Sequence, residues 1–263
     1  MMNQNIKNFC LIITGTINPV KQNFCALNDS NERKKQYLEC IEYFIKSSSL
    51  VNIVYCDNSN THISEEKKLI ELAKKMRKSF EWIAFAGDNA TVSRLNNKGY
   101  GEGEILDYVM DHSEIAKSAD AIVKITGRLI VKNFNEILEN TKTSKSYFNR
   151  DIYHGRKCLD TRFYIINKQT FVEHCYHINK KMLTTNEPIE HLYYKSLPRG
   201  GYKCLPRFPD IYGMSGATGK NYEDSEKPIN FYNFLCKNWI FNVAYPIIMA
   251  PRKVRTMIWK KYR

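Results

Sequence analysis

The chain has 263 residues, 43% of them hydrophobic, which is enough for one sizeable core and excludes global disorder. A formal net charge of +13 and a pI near 9.3 call for an anionic partner, whether nucleic acid, anionic lipid or nucleotide phosphate. The eight cysteines stand singly with no C-x-x-C pair, and no run has the form of a secretory signal or the length of a membrane span, so the expectation is a reducing cytoplasm.

In chain order, Asn8 to Thr14 (NFCLIIT) is a continuous apolar run, the pattern of a strand covered on both faces. A loop from Gly15 to Leu27 follows, with Asn18-Pro19 as its turn signal. Asp29 or Ser30 caps a predicted helix whose apolar face is Tyr37, Leu38, Ile41, Phe44 and Ile45. VNIVYC is a second buried strand that stops at Asp57-Asn58-Ser59-Asn60. Ser64 opens a second helix, SEEKKLIELAKKMRKS, and Glu81 to Ala86 (EWIAFA) is a third strand.

The stretch from Lys98 to Val131 organises the chain. Gly99, Gly101 and Gly103 predict a tight turn or a close backbone approach. Ile105, Leu106, Val109 and Met110 then recur at helical spacing, and Ala121-Ile122-Val123 is a short buried strand interrupted by Lys124 before Thr126-Gly127-Arg128. Strand and helix alternate up to this point, which predicts an α/β fold with a mostly parallel sheet. Ligands bind such sheets beyond the carboxyl ends of the strands. Lys124 and Arg128 suit either an anion there or a structural ion pair, and Asp57 suits either a ligand contact or an Asx turn.

Beyond Asn133 the sequence predicts a helix at Phe134–Leu138, a strand edge at Ser146–Phe148 and a strand at Asp160–Ile166. Helices over Lys168–His177 and Pro188–Leu197 follow, then a long loop from Arg199 to Tyr222. The segment 231–263 mixes Trp239, Phe241, Tyr245 and Trp259 with Arg252, Lys253, Arg255, Lys260, Lys261 and Arg263, and no acidic residue follows Glu226. Residues 1–230 are expected to form the α/β domain. Residues 231–263 are expected to form a helical tail that docks on an anionic membrane or packs on the domain.

The first strand and its loop, VYCDNSN, NKGYGEGE followed by KITGR, and PDIYGMSGATGKNY together resemble a GT-A-type glycosyltransferase of bacterial surface-polysaccharide synthesis, of the kind that builds lipopolysaccharide or capsule. The resemblance implies a GT-A-like, Rossmann-type nucleotide-binding sheet flanked by helices, with a nucleotide-sugar donor across its carboxyl edge. Thr14 and Gly15 would border base and ribose, and Asp57, Asn58 and Ser59 would hydrogen-bond them. Lys98, Gly99, Gly101 and Glu102 would approach the diphosphate or donor sugar. The family holds a divalent metal with a D-x-D after the fourth strand; this chain has no D-x-D, and the corner is Lys124-Ile125-Thr126-Gly127-Arg128. Lys124 and Arg128 would neutralise phosphate in the metal's place, so no metal ligand is assigned, and magnesium or manganese stays an open alternative.

Inverting transfer needs a base for the acceptor hydroxyl, and Glu190, Asp160 and His191 are the candidates. The implied acceptor is a lipid-linked glycan, lipopolysaccharide or capsule, and the implied place is the inner face of the bacterial cytoplasmic membrane. Two other readings use the same charge: a nucleic-acid-binding module and a non-catalytic membrane scaffold. Nucleic acid is not the expected partner, because the basic residues before the tail alternate with Glu on separate helices.

Overall fold

A computed structural model describes residues 8–19, 27–149, 157–216, 219, 221 and 222. Strand β1 (Phe9–Gly15) is buried at every position. Phe9, Leu11 and Ile13 enter one apolar cluster while Cys10 and Ile12 enter another, the period-two alternation of a strand covered on both faces. Helix α1 (Ser30–Ser47) starts where Asp29 accepts the Glu32 N–H at 2.7 Å. Strand β2 (Asn52–Asp57) follows, then α2 (Glu66–Lys75). Ser64 does not cap that helix; its hydroxyl goes to the Glu65 carboxylate at 3.0 Å. Strand β3 (Ser79–Ala84) begins earlier than EWIAFA suggests, because its parallel register on β2 sets Ser79 opposite Asn52.

Two helices come next, α3 (Asn89–Leu95) and α4 (Lys98–His112). The glycine block is therefore not a turn. It is the first half of α4, and the reason is close approach: a Cβ on Gly101 would lie 2.9 Å from Asn58 Nδ2, and one on Gly103 2.7 Å from Asn179 Cβ. The chain continues through α5 (Glu114–Ser118), β4 (Ala121–Thr126), β5 (Ile130–Val131), α6 (Phe134–Glu139), β6 (Ser146–Tyr147) and β7 (Phe163–Asn167). It ends in α7 (Lys168–His174), α8 (Ile178–Thr185), α9 (Ile189–Ser196), β8 (Tyr202–Lys203) and β9 (Ile211–Tyr212). Helix α8 and the two short strands inside the expected 199–222 loop have no clear sequence signal. The helix expected to run to His177 stops at His174, and His177 takes a left-handed φ of 57° before α8.

The main sheet has the order β3-β2-β1-β4-β7-β6-β8. β3, β2, β1 and β4 are mutually parallel, and β7 runs antiparallel to β4. Side chains of α1, α2 and α6 cover one face; those of α4, α5, α7, α8 and α9 cover the other. The result is a mixed α/β architecture with a mostly parallel centre. Cys10, Cys40, Cys56 and Cys175 are buried free thiols, and burial pushes that of Cys40 up to about 12, which makes it unreactive. No helix among the described residues is long and apolar enough to cross a membrane. The expected boundary at 230 and the tail 231–263 lie outside the described residues.

Candidate active site at the carboxyl edge of the sheet

From β1 the chain order runs outward to β2 and β3 on one side, while β4 lies on the other. The order thus reverses between β1 and β4, the switch point at which open α/β sheets form a crevice. Thr14 and Thr126 are register partners there, and the Gly127 N–H bonds the Thr14 carbonyl at 2.8 Å. Bare backbone is required on both sides: a Cβ on Gly127 would lie 2.4 Å from that carbonyl oxygen, and one on Gly15 would lie 2.2 Å from the Tyr55 hydroxyl. Thr14 is turned inward, with its hydroxyl 3.4 Å from the Ile125 carbonyl.

Asp57 closes β2 and is wholly buried. Its Oδ2 accepts the Ile17 N–H at 2.7 Å. Its Oδ1 accepts the Ser59 N–H at 2.9 Å, the Ser59 hydroxyl at 2.6 Å and the Thr61 N–H at 3.2 Å. The Asx-turn alternative is what the structure contains, and the expected contact of Asp57 with a base or ribose is corrected: the carboxylate has no open side. Asn58 extends the network, accepting the Thr16 hydroxyl at 2.6 Å and reaching the Gly101 carbonyl at 3.5 Å. Ser59 accepts the Asn18 N–H at 3.0 Å. These side chains lace the loops after β1 and β2 together and hold them against α4.

Lys124 is also fully buried. Its ammonium forms an ion pair with Glu102 Oε1 at 2.8 Å and donates to the Thr126 hydroxyl at 2.9 Å and the Thr161 carbonyl at 2.6 Å. Thr126 itself donates towards Glu102 Oε2 at 3.5 Å, so it accepts from Lys124, and with the Thr161 carbonyl and the Glu102 ion pair it encloses the wholly buried ammonium. The expectation that Lys124 meets donor phosphate is corrected on that ground. Burial pulls its pKa down, and the Glu102 carboxylate opposes the pull.

The same corner gathers the candidate bases. Asp160 is clasped by the Nε of Arg162 at 2.8 Å and by its Nη2. Burial works against the Arg162 charge, but Asp160 outweighs it and holds the guanidinium charged. Asp160 is therefore a structural partner rather than an open base. Glu190, half-buried in the first turn of α9, accepts the Thr161 hydroxyl at 3.5 Å through Oε1, and its carbonyl accepts the Leu159 N–H at 3.2 Å. Burial pushes its carboxyl pKa up; the neighbouring Glu102 and Asp160 push the same way against Lys124. His191 lies beside it in α9, its N–H on the Pro188 carbonyl at 3.0 Å.

Arg128 differs from Lys124 in carrying a buried donor without a hydrogen-bond partner. It is 9% exposed and takes a φ of 70°, a strained setting for a side-chain-bearing residue. Its Nη1 bonds Gln36 Oε1 at 3.1 Å, the guanidinium carbon lies 5.7 Å from the Tyr37 ring centre, and Nε is buried with no hydrogen-bond partner. Lys98, at the start of α4, donates to the Gly216 carbonyl at 3.0 Å. The Tyr222 ring lies 4.9 Å from the Arg162 guanidinium. Gly216 and Tyr222 thus border the corner; Ala217, Thr218 and Lys220 lie outside the described residues.

Gln36, Thr161 and Arg162 were not legible as site residues. The Asp160-x-Arg162 spacing just before a strand was a usable signal for the last; a backbone carbonyl such as that of Thr161 leaves none. Among the described residues no three His, Cys, Asp or Glu side chains group as a metal site. A cleft of about 580 Å³ lies elsewhere, on the outer face of α1, lined by side chains such as Lys34 and Lys46. Those pair with Glu65 and Glu42, an ordinary charged surface.

No protein-family model matches the chain, and no curated protein matches it. Solved structures similar to it include a mannosyltransferase from Pyrobaculum calidifontis in complex with GDP-Man and Mn2+, at 9% identity and a TM-score of 0.46, over 97% of this chain and 79% of that one. A cytidylyltransferase from Leptospira borgpetersenii is similar at 14% identity and 0.33, over 71% of this chain and 69% of that one. Mouse xyloside xylosyltransferase 1, in its apo form, is similar at 9% and 0.33, over 72% and 80%. All three scores lie below 0.5, so the functional reading stands on the geometry of the carboxyl edge.

Proposed function

We propose that the chain is a glycosyltransferase that moves a sugar from a nucleotide-sugar donor to a glycan or lipid-linked acceptor of surface-polysaccharide synthesis. The observation that carries the reading is Arg128 at the β1/β4 switch point, its buried Nε without a hydrogen-bond partner, beside a corner in which Glu190, among the described residues, is the carboxylate without a cation of its own. Nucleotide would lie along Thr14–Thr16 and Gly127, where side chains are absent or turned inward. Arg128 would fork the diphosphate, with Lys98 beside it. The acceptor hydroxyl attacks the anomeric carbon, its proton passes to Glu190, and the electron pair of the breaking C–O bond leaves on the diphosphate, whose charge Arg128 stabilises. The corner where the resembled family holds a metal does not suit one here, because Lys124 is a donor only and already holds Thr126.

Thermal unfolding with UDP, GDP, CMP and their sugar conjugates, each with EDTA and with Mn2+, tests the reading. One nucleotide class should stabilise the protein by about 2.7 kcal/mol at a hundred times its Kd. Arg128→Met should weaken that ligand by about 10–100-fold, the worth of a hydrogen bond to a charged group. No shift with any nucleotide overturns the proposal. Residues 231–263, basic, aromatic and free of acids, would bring the enzyme to the cytoplasmic face of an anionic membrane. A protein truncated after Asn230 should then stay in the supernatant when spun with anionic liposomes. Co-sedimentation of the truncated form rejects that role for the tail.

A further inference from the structure

We infer that Lys124 is a positioning residue whose ammonium, held between Glu102 and the Thr161 carbonyl, sets the charge state of Glu190. The inference rests on Glu190 being the base proposed above. Fully buried lysines are rare, and an apolar side chain in β4 would serve the sheet as well or better, since burying an ion pair seldom stabilises a fold. β4 nevertheless carries a wholly buried lysine, paired with Glu102 and hydrogen-bonded to the Thr126 hydroxyl and the Thr161 carbonyl. Its anchors lead to Glu190. Thr161 gives its carbonyl to Lys124 and its hydroxyl to Glu190, and the Leu159 N–H holds the Glu190 backbone.

Three elements face the Glu190 carboxylate with charge: α4 through Glu102, β4 through Lys124, and the lead into β7 through Asp160 with its Arg162. Asp160 is matched by Arg162 and Glu102 by Lys124, which among the described residues leaves Glu190 as the odd anion. Lys124 is then the cation that favours the ionised form of Glu190 in a corner with two other acids. Glu102 limits that help by drawing the ammonium to itself at 2.8 Å.

The test is a carboxyl-carbon NMR titration of Glu190, its resonance assigned through Glu190→Gln. In Lys124→Met the midpoint should rise by about one pH unit or more, and in Glu102→Gln it should fall by a similar amount. A merely structural role predicts otherwise: a loosened corner would bring both variants down towards the ordinary glutamate value of about 4.3. Opposite shifts support the inference; two downward shifts, or none, overturn it. If Lys124→Met does not fold, the wild-type protein decides. The Lys124 Nζ resonance should move with the same midpoint as Glu190, and a Lys124 signal flat through that titration rejects the coupling. Activity separates this from the base assignment. Full transfer by Glu190→Gln with the predicted shifts present refutes the base and keeps the coupling; a dead Glu190→Gln with the shifts absent does the reverse.

Discussion

Glu190→Gln is expected to lower kcat for sugar transfer by about 10²–10⁴-fold, the contribution of a positioned general base. Glutamine keeps the shape and can still accept from the Thr161 hydroxyl, but it cannot take a proton. Nucleotide affinity should be unchanged, because the proposed donor contacts belong to Arg128 and the switch-point backbone. The pH dependence follows from burial and from the neighbouring Glu102 and Asp160, which raise the Glu190 pKa. The proposed base acts in its ionised form, so the acid limb of the profile should lie above the range of an ordinary glutamate. The stability linkage has the opposite sense. A group raised in the folded state contributes stability below its unfolded pKa and loses it as pH rises through the folded value. At neutral pH the glutamine variant should therefore melt no lower than wild type. Turnover retained within about threefold, or a collapse of the melting temperature, rejects Glu190 as the base.

Asp57→Ala is the second large effect, and it should appear in stability rather than in chemistry. The carboxylate is wholly buried and accepts from Ile17, Ser59 and Thr61. Removing it strands those N–H groups at the ends of two strands, at an expected cost of about 3–5 kcal/mol in denaturant unfolding. Asp57→Asn should recover part of that. One amide oxygen can still serve Ser59 and Thr61, while its NH₂ then faces the Ile17 N–H. Both variants should lose nucleotide binding, since the loops they release border the crevice. A contact with the base alone would instead weaken nucleotide and leave the unfolding curve in place. A loss under about 1 kcal/mol in Asp57→Ala removes Asp57 as the organiser of these loops.

The strands were legible because their signal is local. NFCLIIT and VNIVYC are continuous apolar runs that suit a sheet covered on both sides, and the observed β1 and β2 differ from them only at the ends. The glycine block was legible as a place of close approach and misread as a turn. Glycine costs about 1 kcal/mol per residue in a helix relative to alanine, so local propensity argues against α4 starting at Lys98. The fit of α4 against Asn58, Asn179 and Ile189 outweighs that cost, and it is a contact between segments far apart in the chain. Helix α8 was lost for a similar reason, since its start is a left-handed His177 tied to Asp107 of α4 by its N–H at 2.9 Å and its Nδ1 at 3.0 Å.

The sequence by itself determined a mostly parallel α/β sheet and placed Asp57, Lys124 and Arg128 at the carboxyl ends of its strands. Hydrophobic period and run length suffice for that, because they depend only on neighbours along the chain. The tertiary structure alone decided what each charge does. Lys124 and Arg128 look alike in KITGR, yet one is enclosed by Glu102, Thr126 and Thr161 while the other keeps a buried, unpartnered Nε. Asp160 and Glu190 look alike as acids, yet among the described residues only Asp160 has an arginine closed on it. Those fates depend on which distant segments supply partners within hydrogen-bond reach in a low-dielectric corner, and no local pattern encodes that.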